Sequence, residues 1–119
     1  MPPRGDRARL LHMLDHAVEA RELVRNRTRG DLDFDRMRTL ALVRLLEIVG
    51  EAASRVSPSL REAQPAVPWV QIVGLRNRLV HGYDSVDLDV LWQVVEADPP
   101  SLIADLRLIL SSCEGGEKD

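Results

Sequence analysis

The stretch from Asp35 to Val56 constrains the fold most, because apolar residues cover most of the circumference of the helix that it predicts. Its polar positions form only a narrow strip, which comprises Arg44, Glu47, Glu51, Ser54 and Arg55. A helix of this kind is buried on more than one side, so it should pack within its own bundle and also against a second copy of the chain. We therefore expect a helical bundle that forms a homodimer.

Segments with helical periodicity lie on both sides of this helix. They run from about Asp6 to Arg25, from Trp69 to a stop at Gly82, from an N-cap at Asp87 through Glu96, and onwards from Pro99-Pro100, with a short helical turn at 59–64. The sequence shows no strand alternation and no internal repeat. Its 119 residues and 3% aromatic content predict one all-α domain spanning 1–119, an antiparallel bundle of four to five helices with flexible tails at 1–5 and 113–119.

Charge and cysteine content narrow the function classes. With 16 Lys and Arg against 19 Asp and Glu, the net charge is −3, so any contact with nucleic acid must come from a local patch rather than from a general basic field. The single cysteine, Cys113, cannot form an internal disulfide and offers no metal cluster. No segment resembles a signal peptide or a membrane span, and we expect a cytoplasmic protein.

Residues 75–83, LRNRLVHGY, carry the most chemistry. Arginine is permanently cationic and binds phosphate, and histidine titrates near neutral pH, so Arg76 and His81 supply the groups for phosphate chemistry without a metal. On an ideal third helix Arg76 would lie within an apolar arc. A charged group is seldom left on such a face without a partner, so Arg76 should face a carboxylate, such as Glu47 or Glu51, or a functional cleft.

The spacing of the motif suggests cooperation between its residues. Asn77 and His81 are four residues apart and would share a helical ridge, so the amide could orient the imidazole. Arg76 and His81 would differ by about 140° around an ideal helix, so one copy of the pair would converge poorly on one phosphate unless the helix end unwinds. Two copies across a dimer would converge more easily. The residues alone leave a structural alternative open, in which Arg76 forms a buried ion pair, His81 caps the helix and Tyr83 packs its ring.

Two other groups of residues are weaker candidates. His12 and His16 have the spacing of a metal-binding pair, but no third ligand is near and a polar surface is the better interpretation. Arginines at 25, 27, 29, 36 and 38 could bind an RNA backbone, but aspartates at 31, 33 and 35 interleave with them. We expect this loop to be solvated and neutralised by its own charges.

The segment from Asp35 through Trp92 resembles the HepT-like branch of the HEPN superfamily. The resemblance rests on LVRLLEIVGEAA, VPWVQIVGLRNRLVHGY and VDLDVLW, and the family motif is present in full as Arg76, Asn77, His81 and Tyr83. It implies a HEPN-like bundle that dimerises through the second helix and the motif region. The implied activity is a metal-independent endoribonuclease that needs no cofactor, with Arg76 and His81 as catalytic residues and Asn77 in support.

The same resemblance implies a biological role. HepT-like proteins are toxins of toxin–antitoxin pairs of the type VII kind, and the expected partner is a minimal nucleotidyltransferase antitoxin that transfers AMP to the motif tyrosine, here Tyr83. The alternative function is a non-catalytic helical subunit that binds nucleotide and a nucleotidyltransferase without cutting RNA. The chain itself lacks the Gly-Ser motif and aspartate pair of a nucleotidyltransferase, which disfavours an antitoxin role.

Overall fold

The computed structural model describes residues 4–81 and 85–117, although the side chains of Arg4, His81 and residues 113–117 are outside the description. Its elements are α1 (Arg4–Leu23), a 3-10 helix (Arg29–Asp33), α2 (Arg36–Ser54), α3 (Pro58–Ala63), α4 (Trp69–Val73), α5 (Leu75–Leu79), β1 (Val80–His81), β2 (Ser85–Val86) and α6 (Leu88–Glu117). The predicted all-α class is confirmed, since the only strands in the described ranges are two residues each.

The main body of the protein is formed by α1, α2 and α6, with α4 and α5 packed on α2. Buried residues cover a wide arc of α2, as its sequence predicts, and include Leu42, Val43, Leu45, Leu46, Val49, Ala52 and Ala53. From α1 the core receives Leu10, Met13 and Ala17, and from α6 it receives Leu91 and Leu106. Two apolar residues near the start of α2 are not buried, since Met37 is 83% exposed and Leu40 is 47% exposed.

Side-chain hydrogen bonds fix the ends of the helices. Asp6 is buried in α1 and accepts hydrogen bonds from the backbone N–H and the hydroxyl of Ser57, at 2.9 and 2.6 Å, while Ser57 caps α3. Asp87 accepts from the N–H of Val90 at 3.1 Å, which confirms the predicted N-cap of the helix that follows. These hydrogen bonds hold the connecting segments before α3 and α6 against the long helices α1 and α6.

The predicted third helix is wrong in its second half. The chain forms two five-residue helices separated at Gly74, whose N–H donates to the carbonyl of Val70, and the second of them ends at Leu79 instead of continuing to Gly82. Val80 adopts an extended conformation and pairs with Val86, while His81 pairs with Ser85. A β-branched residue with a cross-strand partner favours this extended exit over another helical turn.

Close packing between α2 and α4 depends on Gly50. A Cβ atom at this position would lie 2.7 Å from the carbonyl oxygen of Ile72, a distance that atoms in proteins do not tolerate. The absence of a side chain therefore lets the end of α4 approach the α2 backbone closely. Since α5 follows α4 directly, Gly50 also helps to set the position of the motif helix.

The predicted break at Pro99-Pro100 is also wrong, because α6 runs through both prolines from Leu88 to Glu117. Proline removes a helical hydrogen bond, but buried residues on both sides of the pair, including Val95 and Leu102, hold the two halves against the rest of the bundle. Pro99 itself is fully buried. The predicted fourth and fifth helices are therefore one helix.

The helices α1 and α6 include residues 4–5 and 113–117, so only residues 1–3 and 118–119 of the predicted tails lie outside the described residues. The flexibility of the tails stays a prediction, as does the homodimer. Within the described ranges, no helix is long and apolar enough to cross a membrane.

Candidate active site

An open cavity of about 680 Å³ lies where α2, α5, the 3-10 helix, both short strands and the start of α6 come together. Its polar lining residues are Asp33, Arg36, Thr39, Glu47, Arg76 and Ser85. Apolar residues, among them Val43 and Leu88, form other parts of its wall. Half of the lining residues are polar, so the cavity can hold a small polar ligand or a polar part of a larger one.

Arg76 reaches this cavity because of its position on α5. The neighbouring Leu75 and Leu79 are buried, whereas Arg76 is exposed and lines the cavity. No carboxylate among the described residues lies within ion-pair distance of its guanidinium. Of the two placements expected for Arg76, an ion pair or a cleft, the structure shows the cleft.

The two candidate carboxylates of α2 have separate positions. Glu47 lines the same cavity as Arg76, and its nearest described cation is Arg44, with 3.8 Å between Nη1 and Oε2. Glu51 does not line the cavity and lies 3.6 Å from Arg55. Glu47 therefore adds negative charge to the space that Arg76 faces, while Glu51 belongs to the exposed surface.

His81 lies on the backbone of β1, beyond the end of α5. Its strand partner is Ser85, and both Ser85 and the preceding Val80 line the cavity, so the His81 backbone lies at the cavity's border. The expected helical ridge shared by Asn77 and His81 is wrong, as is the angular relation with Arg76, because His81 is not part of the helix. The side chain of His81 and the whole of Tyr83 lie outside the described residues.

The other polar residues of the motif have different surroundings. Asn77 is exposed on α5 and is not among the residues that line the cavity. Arg78 is also exposed, and its Nη1 lies 3.6 Å from a carboxylate oxygen of Asp98 on α6. Arg76 is thus the residue of α5 that combines a cationic group with access to the cavity.

The arginine-rich loop is neutralised where the structure describes its contacts, as its sequence predicts. Arg29 contacts Asp33 at 3.2 Å and Asp89 at 2.7 Å, and the hydrogen bond with Asp89 is the main cause of a raised pKa for Arg29. Arg38 contacts Asp35 at 3.0 Å, and Arg25 contacts Glu22 at 3.5 Å.

The two histidines of α1 are connected by a local hydrogen bond. Nδ1 of His16 donates to the carbonyl oxygen of His12 at 2.6 Å. Among the described residues, no group of three or more metal-ligating side chains could hold an ion. The interpretation of His12 and His16 as part of a polar surface stays a prediction.

Sequence patterns missed two residues of the cavity. Arg36 begins α2, although the sequence groups it with the arginines of the preceding loop. Ser85 follows the motif and belongs to β2. Neither has a local sequence signal that would connect it with Arg76, because tertiary contacts bring the three elements together. Thr39 also lines the cavity, but its hydroxyl donates to the carbonyl of Leu32 at 3.2 Å, which is a structural role.

A family model described as "Ribonuclease HepT-like" matches residues 13–109, a range that contains every residue lining the cavity. This chain belongs to the HepT-like family. The resemblance found in the motif region therefore extends over most of the molecule.

Individual relatives of the chain carry ribonuclease names. The chain is 33% identical to "Putative RNase MJ1380" of Methanocaldococcus jannaschii over 92% of its own length and 100% of that protein. It is 37% identical to "Probable ribonuclease HepT" of Thermococcus cleftensis, over 75% of its own length and 84% of the relative. A third relative, "Putative RNase TTE0752" of Caldanaerobacter subterraneus subsp. tengcongensis, is 34% identical over 82% of the chain and 90% of that protein. No solved structure matches the chain.

Proposed function

We propose that this protein is a metal-independent endoribonuclease and the toxin of a toxin–antitoxin pair. The observation that carries the proposal is the exposed guanidinium of Arg76, which faces an open cavity and has no ion-pair partner among the described residues. A phosphate group of RNA would supply the negative charge that this arginine lacks. The ribonuclease names of two relatives, which align with 92% and 75% of the chain, support the same substrate class.

The proposed reaction is an internal transesterification of RNA. The 2′-hydroxyl of a ribose attacks the adjacent phosphorus, the bond from phosphorus to the 5′-oxygen breaks, and the products carry a cyclic phosphate and a 5′-hydroxyl. The 2′-hydroxyl loses a proton and the leaving 5′-oxygen gains one, and His81 carries this proton from the first oxygen to the second. Arg76 stabilises the charge on the phosphoryl oxygens, and Asn77 orients the RNA or polarises it.

A homodimer is part of this proposal. Met37 and Leu40 form an exposed apolar stripe on α2, and Leu40 also lines the cavity. A second copy that covered this stripe would remove apolar surface from water and bring two motif regions together. Light scattering after size-exclusion chromatography should give the mass of a dimer for the wild type, and Met37→Glu should shift it towards the monomer.

The proposed partner is a cognate nucleotidyltransferase that acts as the antitoxin by adenylylating Tyr83. An attached AMP would add bulk and a negative phosphodiester two residues from His81, so it would exclude an RNA phosphate by size and by charge. Incubation with ATP and the transferase, followed by mass spectrometry of peptides, should locate AMP on Tyr83. AMP on another residue, or on none, would contradict this mechanism of control.

Growth arrest in cells tests the toxin assignment. Wild-type protein and the control Arg78→Ala, which alters an arginine on the same helix that contacts Asp98, should arrest growth. Arg76→Ala and His81→Ala should not, at equal expression levels. If all four proteins behave alike, the alternative of a non-catalytic nucleotide-binding and partner-binding subunit is favoured. We also propose that the protein is cytoplasmic, since the proposed RNA substrate and partner are cytoplasmic.

A further inference from the structure

Arg36 is a second arginine in the cavity that Arg76 lines. It is the first residue of α2, and its side chain is exposed rather than packed in the core. The two arginines come from distant parts of the sequence, and they share the cavity because α5 packs on α2. The role proposed above for Arg76 leaves the second guanidinium without a function.

The cavity is long in comparison with one phosphate group. Along α2 its lining residues extend from Arg36 at the start of the helix to Glu47. This distance is about three helical turns, or roughly 16 Å along the helix axis. A single phosphate fills only a small part of that length, so the cavity can contain more than one nucleotide of a bound RNA.

The carboxylates beside Arg36 in the sequence have other arginines as partners. Asp33, which lines the cavity, contacts Arg29 at 3.2 Å. Asp35 accepts hydrogen bonds from the N–H and Nε of Arg38 at 2.9 and 3.0 Å. Arg36 itself interacts with another part of the protein, but a guanidinium has five N–H donors and can donate to a phosphate as well.

The contact proposed for a second copy leaves this face of α2 available. Arg36, Val43 and Glu47 line the cavity and recur at helical spacing, so they lie on one face of α2. Met37 does not line the cavity, and it lies about 100° from Arg36 around the helix, with Leu40 between them. A second copy that covers Met37 therefore does not need the space in front of Arg36.

We propose that Arg36 binds a second phosphate of the RNA, other than the phosphate that is cleaved. This inference rests on the proposed function, and it names the substrate as an RNA with at least two phosphate groups. A guanidinium can donate two parallel hydrogen bonds to a phosphate and stays charged at neutral pH. The macrodipole of α2, whose N-terminal end favours anions, adds to the attraction.

The test uses short RNAs in which one ribose has a free 2′-hydroxyl, at a linkage that the wild type cuts, and every other ribose carries a 2′-O-methyl group. In a series of these RNAs, each phosphate that is not cut is replaced in turn by a neutral methylphosphonate. For the wild type in excess EDTA, one replacement should lower kcat/KM by about tenfold, the loss expected for a charge-assisted hydrogen bond.

Arg36→Gln should have about tenfold lower kcat/KM than the wild type on the fully charged RNA. It should be insensitive to the replacement that slows the wild type, because the arginine and that phosphate form a single interaction. Arg36→Lys keeps the positive charge and should retain part of the sensitivity. A purely structural role of Arg36 would not make the effect of the variant depend on one phosphate.

Arg55→Gln is the matched control, because Arg55 is an exposed arginine at the other end of α2 that does not line the cavity. Its kcat/KM should equal that of the wild type for every RNA in the series.

Three results would overturn the inference. They are an unchanged kcat/KM of Arg36→Gln on the fully charged RNA, a response of Arg36→Gln to every replacement as strong as that of the wild type, and wild-type cutting that no replacement slows. If the wild type cuts no RNA at all, the proposed function fails first. Cutting by the wild type together with any of the three results contradicts the second phosphate site alone.

Discussion

Arg76 of α5 and Glu47 of α2 line one cavity, although they come from distant parts of the sequence. The nearest described cation to Glu47 is Arg44, at 3.8 Å, so the carboxylate does not neutralise Arg76 through a direct ion pair. In this cavity the guanidinium of Arg76 would attract a phosphate, and the carboxylate of Glu47 would repel it.

Glu47→Gln should strengthen RNA binding, because it removes a negative charge from the space that the phosphate enters. A repulsion of about 1 kcal/mol corresponds to roughly a fivefold gain in affinity at low salt. The measurement is fluorescence anisotropy, at several salt concentrations, with a short single-stranded RNA whose 2′-O-methyl groups prevent cleavage. Glu51→Gln is the control, since Glu51 lies on the same helix outside the cavity and should have no effect. Weaker binding by Glu47→Gln would show instead that the carboxylate orients Arg76.

Gly50→Ala should destabilise the fold by about 1–3 kcal/mol, because the added Cβ would lie 2.7 Å from the carbonyl oxygen of Ile72 and force α4 away from α2. Urea denaturation followed by circular dichroism measures the free energy of unfolding. Gly30→Ala is the matched control, since its nearest contact would be an ordinary 3.8 Å to the hydroxyl oxygen of Thr28. Equal stability of the Gly50→Ala variant and the wild type would contradict the close approach of these helices.

The stability contributed by Asp35 should depend on pH. Hydrogen bonds from the N–H of Arg38, and then from its guanidinium, lower the pKa of the Asp35 carboxyl in the folded protein. Its contribution is then fully present above the unfolded pKa, about 3.9, and is lost as the pH falls through the lower folded value.

Thermal melts of wild type and Asp35→Ala across the acid range measure this effect. The variant should melt at a lower temperature at pH 7, and the difference should narrow as the pH falls below about 4. Asp15→Ala, which alters an exposed carboxylate of α1, serves as the control. A difference between wild type and Asp35→Ala that stays constant down to pH 2 would rule out the carboxylate as its source.

Local patterns in the sequence predicted the features that depend on neighbouring residues. The apolar periodicity of α1 and α2 and the cap at Asp87 needed no knowledge of the rest of the chain. The helix end at Leu79 could not be found in this way, because it depends on the pairing of Val80 with Val86. The continuation of α6 through Pro99 likewise depends on packing against other helices.

The candidate site likewise contains residues that the sequence predicted and residues that only the fold brings together. The periodicity of the motif helix predicts that Arg76 faces either a carboxylate or a cleft, and in the structure Arg76 lines a cavity. The contributions of Arg36 and Ser85 to that cleft come from elements that meet only in the folded molecule, so no spacing in the sequence could reveal them. His81 was assigned to the helix because the pattern does not show where α5 ends.

The most direct test of the central claim is the rate at which purified protein cuts single-stranded RNA in excess EDTA. Wild type and Arg78→Ala should cut at similar rates and leave cyclic phosphate and 5′-hydroxyl ends. Arg76→Ala should lose at least a hundredfold in rate, because the charge on the phosphoryl oxygens is no longer stabilised. Loss of wild-type cutting in EDTA, or equal cutting by Arg76→Ala and Arg78→Ala, would contradict a metal-independent site built on Arg76.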